Sequence, residues 1–286
     1  MAESDKPKAL AEDFFVGGTE RDAITLVRDA SKIALPKRFY TDVSVEPRDG
    51  AFAILLDGRP VRTPRRSPLT LPTHDAADLV AEEWRAQTEL IDPSTMPVTR
   101  LVNAAIDGVA GDIDAVAADI VKYSGSDLLY YRASEPAALV AAQNRHWDPV
   151  LDFVRETFGA RFAIGEGLMF VSQPQDSVDA IARAVAGIAQ EPNEVLRIAA
   201  LHLVTTLTGS ALLALAVYHG ALTCDEAWAA AHVDEDEQMR VWGFDAEALR
   251  RRAARFEDMK AACALLAALS SRLPPAGEGA PRTRGG

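Results

Sequence analysis

Two cysteines in 286 residues, Cys224 and Cys263, exclude a disulfide framework and a four-thiolate zinc site and suit a reducing compartment. Aromatic side chains are scarce at 7% of the chain, so apolar burial must rest on Ala, Leu, Val and Ile. Basic charge is short as well. Thirty Lys and Arg face 42 Asp and Glu, leaving a net charge of −12, which disfavours the phosphate contacts that dominate nucleic-acid binding. The five histidines (His74, His146, His202, His219, His232) include no H-x-x-x-H or H-x-x-H pair, so no metal site is expected. Neither a G-x-x-x-x-G-K-[ST] loop nor a G-x-G-x-x-G turn occurs, so no nucleotide cofactor is expected. Ser124-Gly125-Ser126 and Thr208-Gly209-Ser210 lack the G-x-S-x-G frame of a nucleophile elbow, and no catalytic residue is assigned.

What is present is ordinary globular material, 48% hydrophobic and 25% charged, long enough for roughly two domains. The charge is uneven. Residues 37–72 carry a net +3, whereas residues 73–272 carry −14. Asymmetry of this kind concerns partners more than fold.

Residues 1–36 read as a leader with one short helix over 23–31. Its acidic start has no apolar signal core and argues against an Arg-rich mitochondrial presequence. Residues 37–110 read as a small α+β domain. Phe39–Glu46 alternates as a strand, Pro47-Arg48-Asp49-Gly50 is a turn signal, and Ala51–Leu56 is a second strand. Asp57-Gly58 is a hairpin turn into Arg59–Thr63, and Leu69–Leu71 is a short edge strand. Thr73 then caps a helix over 73–90, and a turn at 91–97 precedes another at 98–106.

Residues 111–272 read as an all-helical domain, with helices at 112–124, 136–158, 177–190, 193–219, 223–241 and 245–272 and a short extended pair within 161–172. The tail 273–286 is Pro- and Gly-rich and is expected to be disordered. The fold class is therefore α+β, a small β-rich N-terminal domain followed by a larger all-α one.

Ile198 to Cys224 contains no Asp, Glu, Lys or Arg and is long enough to cross a bilayer. Its Thr, Ser, Gly and His content, and the start at Glu191-Pro192-Asn193-Glu194, favour a buried helix without stable membrane insertion. Trp84 and Trp147 fall on apolar helix faces and read as packed. Asp234-Glu235-Asp236-Glu237 is the densest acidic run. Four successive helical positions sweep around the axis, so they form either a solvated surface or a docking patch for a basic partner, with Trp242 as its aromatic anchor.

An ordered set of stretches resembles one family. It runs through Phe39-Tyr40, Leu56–Pro64, Glu83–Gln87, Met96–Leu101 and Ala105–Asp107, then Tyr123–Arg132, Trp147–Pro149, Leu207–Ser210, Asp234–Gln238 and Trp242-Gly243. Together these resemble the assembly chaperones for the α subunit of the F-type ATP synthase catalytic sector. The resemblance implies a non-enzymatic, monomeric chaperone that shields the free α subunit until the β subunit covers it. It also implies partner-binding residues Asp234, Glu235, Glu237, Gln238 and Trp242, with Glu235 foremost. Glu237 stands where the family is expected to carry an aromatic residue. Two alternatives come from other classes: an enzyme with an interdomain carboxylate and arginine site, and a membrane-associated helical factor built on Ile198–Cys224.

Overall fold

The computed structural model describes residues 35–167 and 169–270. The helix expected at 23–31 and the tail at 273–286 lie outside the described residues.

Four short strands open the fold. Strands β1 (Val43–Arg48) and β2 (Ala51–Leu56) pair antiparallel with Arg48 opposite Ala51, while β3 (Arg59–Pro60) and β4 (Thr70–Leu71) both pair with β2. The turn between β1 and β2 is Asp49-Gly50 alone, both at positive φ, rather than the four residues from Pro47. Pro47 can stay in the ladder because β1 is an edge strand, where its missing N–H is not needed. Asp57-Gly58 makes the second hairpin, also with both residues at positive φ. The Asp57 carboxylate accepts the Thr41 and Asp42 amides, and these bonds hold its pKa below the usual value.

The inner face of the sheet packs on helix α1 (His74–Ala86) through Val43, Ile54, Leu56 and Leu71 against Ala76, Ala77 and Val80. Thr73 caps α1 by accepting the Ala76 amide at 3.2 Å, and its hydroxyl donates to the Ala268 carbonyl near the end of the chain. The helix stops at Ala86, short of the expected residue 90, because Gln87 turns extended and becomes a buried brace. The Gln87 side chain donates to the Glu83 carbonyl and Thr95 Oγ1 and accepts the Asp92 amide.

Helix α2 (Pro97–Asp107) is capped from outside its own segment. The Glu83 carboxylate accepts the Val98 and Thr99 amides and the Thr99 hydroxyl, each at 2.7 Å. Burial nevertheless pushes the Glu83 pKa up. Glu83→Gln removes one acceptor oxygen from three donors and is expected to cost about 1–2 kcal/mol in urea unfolding. An unchanged midpoint would mean that α2 does not depend on this cap.

The helical part comprises α3 (Ile113–Tyr123), α4 (Ala137–Phe158), α5 (Gln175–Ile188), α6 (Glu194–Thr208) and α7 (Ala211–Tyr218), then α8 (Cys224–Ala231), α9 (Val233–Trp242) and α10 (Ala246–Ser270). Helix α6 is central, packed against α2, α3, α7 and α10. Helix α10 returns along the molecule to α1 and α2, so sheet, α1, α2 and the helical layers share one continuous buried cluster.

The apolar stretch expected as one helix over 193–219 is two. Gly209 takes the left-handed conformation (φ 69°) that ends α6, and Ser210 caps α7 through the Leu213 amide. Among the described residues, no helix is long and apolar enough to cross a membrane.

The expected helix 223–241 also divides, at His232, whose Nδ1 lies 2.8 Å from the Trp228 carbonyl and whose backbone leaves the helical region. Among the described residues, those of 161–172 do not pair with one another as strands. Gly165-Glu166 (β6) instead pairs in parallel with Tyr131-Arg132 (β5). The two limbs of that segment are clamped by Gln173, whose amide bonds the Ala163 backbone at both N and O. A Cβ on Gly165 would fall 2.3 Å from Val171 Cγ2, so glycine is what permits that close return.

Candidate functional site: an acidic and aromatic corner

The chain emerges on the surface at α9. His232, just before it, is buried against Trp228, with ring centroids 3.9 Å apart. That contact desolvates the imidazole and lowers its pKa. The four acids that follow point in four directions, as successive helical residues must. Asp234 turns inward and accepts Gln143 Nε2 at 2.7 Å, while Gln143 Oε1 accepts the Ala133 amide. Asp236 reaches across to Arg252 of α10 at 2.5 Å. Glu237 binds Arg240 one turn on, with two oxygens 2.6 and 2.8 Å from the guanidinium, which lowers its pKa.

Glu235 and Asp236 are both exposed, but only Asp236 is engaged by a close arginine. The Glu235 side chain is 60% exposed, and its carboxylate stands 3.9 Å from His232 Nε2. Gln238 is exposed beside it on the same helix. At the end of α9 stands Trp242, 86% exposed, with Val241 before it and Phe244 after it, both also exposed. Gly243 (φ 88°) ends the helix and turns the chain between the two rings.

The support beneath this corner is buried and hydrogen-bonded. Trp147 of α4 is fully buried and donates Nε1 to the Ala230 carbonyl at 2.7 Å, just ahead of His232. Arg132 lies over the Trp147 ring and pairs with Asp148 at 2.8 Å. Arg132 belongs to β5, so the α9 corner is tied through Ala133 and Gln143 to the β5–β6 pair. The chain beyond β6 exposes Met169 (80%) and Phe170 (72%). Sequence reasoning passed over these two residues. Their signal was the apolar run Leu168-Met169-Phe170 directly after Gly165-Glu166-Gly167, where a turn rather than a core is expected.

Other motifs singled out in the sequence are internal braces. Ser124-Gly125-Ser126-Asp127 and Thr208-Gly209-Ser210 meet across more than eighty residues. Asp127, fully buried, accepts the Leu129 amide on Oδ1 and the Leu212 amide on Oδ2, and Leu128 donates to the Gly209 carbonyl. Asp107 likewise accepts the Thr63 hydroxyl and the Arg65 amide, which joins the Arg62–Pro64 stretch to α2.

Arg197, Tyr218 and Glu191 form a carboxylate and arginine cluster, the kind an interdomain enzyme site would need. Its groups are spent on the protein itself. Arg197 donates to Tyr218 Oη, to the Pro192 carbonyl and to the Leu269 carbonyl, and Tyr218 donates to Glu191 at 2.7 Å. Burial, followed by that bond to Glu191, pushes the Tyr218 pKa up to about 12. Among the described residues, no group of three or more His, Cys, Asp or Glu is placed to hold a metal ion.

Comparison with known proteins follows the same outline. The profile of the family described as "ATP12 chaperone protein" matches residues 37–155. The crystal structure of Atp12 from Paracoccus denitrificans superposes with a TM-score of 0.74 at 39% identity, covering 82% of this chain and 98% of that one.

The chain belongs to the ATP12 chaperone family.

A candidate chaperone of known structure from Agrobacterium tumefaciens is similar at 49% identity and a TM-score of 0.78, covering 86% of this chain and 91% of its own. The mitochondrial atp12 protein of Schizosaccharomyces pombe is 22% identical over 219 residues, 72% of this chain and 74% of that protein. As an ATP12 family member this is a chaperone of ATP synthase assembly, with the strands-then-helices fold of its structural relatives.

Proposed function

We propose that this ATP12 protein acts as a non-enzymatic, monomeric holder of the free α subunit of the F-type ATP synthase catalytic sector. It covers an apolar α surface until the β subunit takes its place. The single observation that carries the reading is the α9 corner, where an outward carboxylate, Glu235, lies two turns before an exposed indole, Trp242, on the same helix. A large aromatic with a charged neighbour is the composition of an interface hot spot. Asp234 and Glu237 act in support, Asp234 by fixing α9 to Gln143 and Glu237 by pinning Arg240. Gln238 adds a polar group at the rim. The −14 net charge over residues 73–272 keeps the holder soluble and favours a client with a basic margin. Release would follow from competition by the true partner subunit. The relatives in Paracoccus and Agrobacterium support a bacterial cytoplasmic setting.

Co-expression with the cognate α subunit tests this. Wild type is expected to raise soluble α and co-purify with it. Trp242→Ala is expected to weaken capture by roughly thirtyfold, the equivalent of an interface hot spot of about 2 kcal/mol. Glu235→Lys, which reverses the outward charge, should weaken it by at least about tenfold. Both variants should keep the wild-type unfolding midpoint, since neither side chain is buried. Full capture by both would exclude the α9 corner as the docking surface, and no capture by wild type would exclude the client.

A further inference from the structure

The two cysteines, 39 positions apart in sequence, meet between α8 and α10. Packing fixes the register of this antiparallel contact. Trp228 of α8 lies on Phe256 of α10 with ring centroids 5.1 Å apart, and Lys260 Nζ sits 5.3 Å from the Phe256 centroid. One turn back from Trp228 along α8 is Cys224, and one turn on from Lys260 along α10 is Cys263. Both cysteines therefore lie on the facing sides of two packed helices, only partly buried and near enough for each thiol to perturb the other.

The environments of the two sulfurs differ. Cys224 is the first residue of α8, immediately after Thr223, whose capping box with Glu226 orders the helix start. Helix N-termini favour a thiolate. Interaction with the Cys263 thiol, helped by the Lys260 ammonium, lowers the Cys224 pKa against the opposing effects of burial and Asp225. Cys263 is pushed the other way, first by its interaction with Cys224 and then by burial.

We propose that Cys224 and Cys263 form a reversible peroxide-responsive thiol pair, with Cys224 as the attacking sulfur and Cys263 as the resolving one. The Cys224 thiolate attacks one oxygen of hydrogen peroxide. An S–O bond forms, the O–O bond breaks and hydroxide leaves, giving a sulfenic acid on Cys224. Cys263 then attacks that sulfur. The S–S bond forms, the S–O bond breaks, and the Cys263 proton goes with the leaving hydroxide as water. Two thiols lose two electrons in total, and peroxide is reduced to two waters. A thiol reductant reverses the step by exchange.

The disulfide would close a loop running from α8 to α10 that contains all of α9. Oxidation would thus tether both ends of the segment carrying Glu235 and Trp242. The inference concerns the thiols themselves and does not depend on which client the α9 corner takes.

Peptide mapping tests it directly. Reduced full-length protein is treated with equimolar hydrogen peroxide at neutral pH, then alkylated, digested and analysed without reductant. The expected result is a loss of about 2 Da, a cross-linked peptide pair containing Cys224 and Cys263, and reversal by dithiothreitol. The unfolding midpoint of the oxidised protein should rise by on the order of 5 °C.

Dimedone should trap a sulfenic acid in Cys263→Ser and none in Cys224→Ser, which assigns the attacking sulfur. Unreacted thiols, intermolecular dimers, or direct over-oxidation without the cross-link would each overturn the pair. Because the wild-type peptide map stands alone, the proposal stays falsifiable even if a serine variant fails to fold.

Discussion

Asp127→Ala is expected to destabilise the protein by about 2–4 kcal/mol at about pH 4.5, with the gap to wild type narrowing as the pH rises. The size follows from what the carboxylate serves. Its two oxygens accept the amides of Leu129 and Leu212, and through them join the 3-10 turn Leu128–Tyr130 to the start of α7. Truncation leaves buried N–H groups without an acceptor, each at a cost of about 1–3 kcal/mol.

The pH dependence follows from the position of the group. Burial raises the Asp127 pKa from 3.8 to about 6, outweighing the hydrogen bonds from Ser210, Leu129 and Leu212 that lower it. A carboxyl with a raised folded pKa contributes fully where it is protonated in both states, below the unfolded value. That contribution is lost as the pH rises through the folded value. The window therefore runs from about pH 4 to about pH 6 and is flat above it, and the shift is worth about 3 kcal/mol.

Urea unfolding of wild type and Asp127→Ala across that range measures the difference and cancels the other carboxylates. Asp127→Asn should share the loss of pH slope, because it cannot ionise. It turns an amide N–H toward one of the backbone donors, so it is expected to remain less stable than wild type on the acid side. A wild-type-minus-variant gap that stays constant, or widens with rising pH, would refute the assignment.

Trp147→Ala should cost about 3–5 kcal/mol, the range for removing a fully buried large aromatic. Part of this is the cavity left in a close-packed interior, and part is the Ala230 carbonyl, which loses its indole donor. Trp147→Phe separates the two. It keeps most of the apolar bulk and should cost about 1–2 kcal/mol for the bond.

The consequence reaches the surface. Ala230 stands just before His232 and α9, and Arg132, which lies over Trp147, is followed by Ala133, whose amide donates to Gln143. Hydrogen exchange in α9 should therefore accelerate in Trp147→Ala more than in the distant β1–β2 hairpin. Uniform acceleration across the chain would mean that the tryptophan stabilises the fold without specifically holding the corner.

Local features were legible where chemistry acts over a few residues. Thr73 as a cap, Asp57-Gly58 as a hairpin turn and the helical spacing of 137–158 each depend on near neighbours. So did the inward placement of Trp84 and Trp147. The misreadings came where a distant residue decided the outcome. Helix α1 stops early because Gln87 is recruited by Asp92 and Thr95. The apolar run from Ile198 breaks at Gly209, where Asp127 from another segment holds the new helix start. Gly165-Glu166 takes Tyr131-Arg132 as its strand partner rather than the limb that follows it.

The candidate site followed the same division. Periodicity established that four acids in a row cannot converge, and composition established an acidic, motif-poor chain without nucleotide chemistry. Which acid would remain without a close partner, however, depended on Gln143, Arg240 and Arg252, two of them on other helices. The cysteines make the same point. Their number excluded a disulfide framework from sequence alone, because counting needs no coordinates. Their meeting between α8 and α10 was decided by the packing of Trp228 on Phe256, because contact between distant residues is a property of the folded chain.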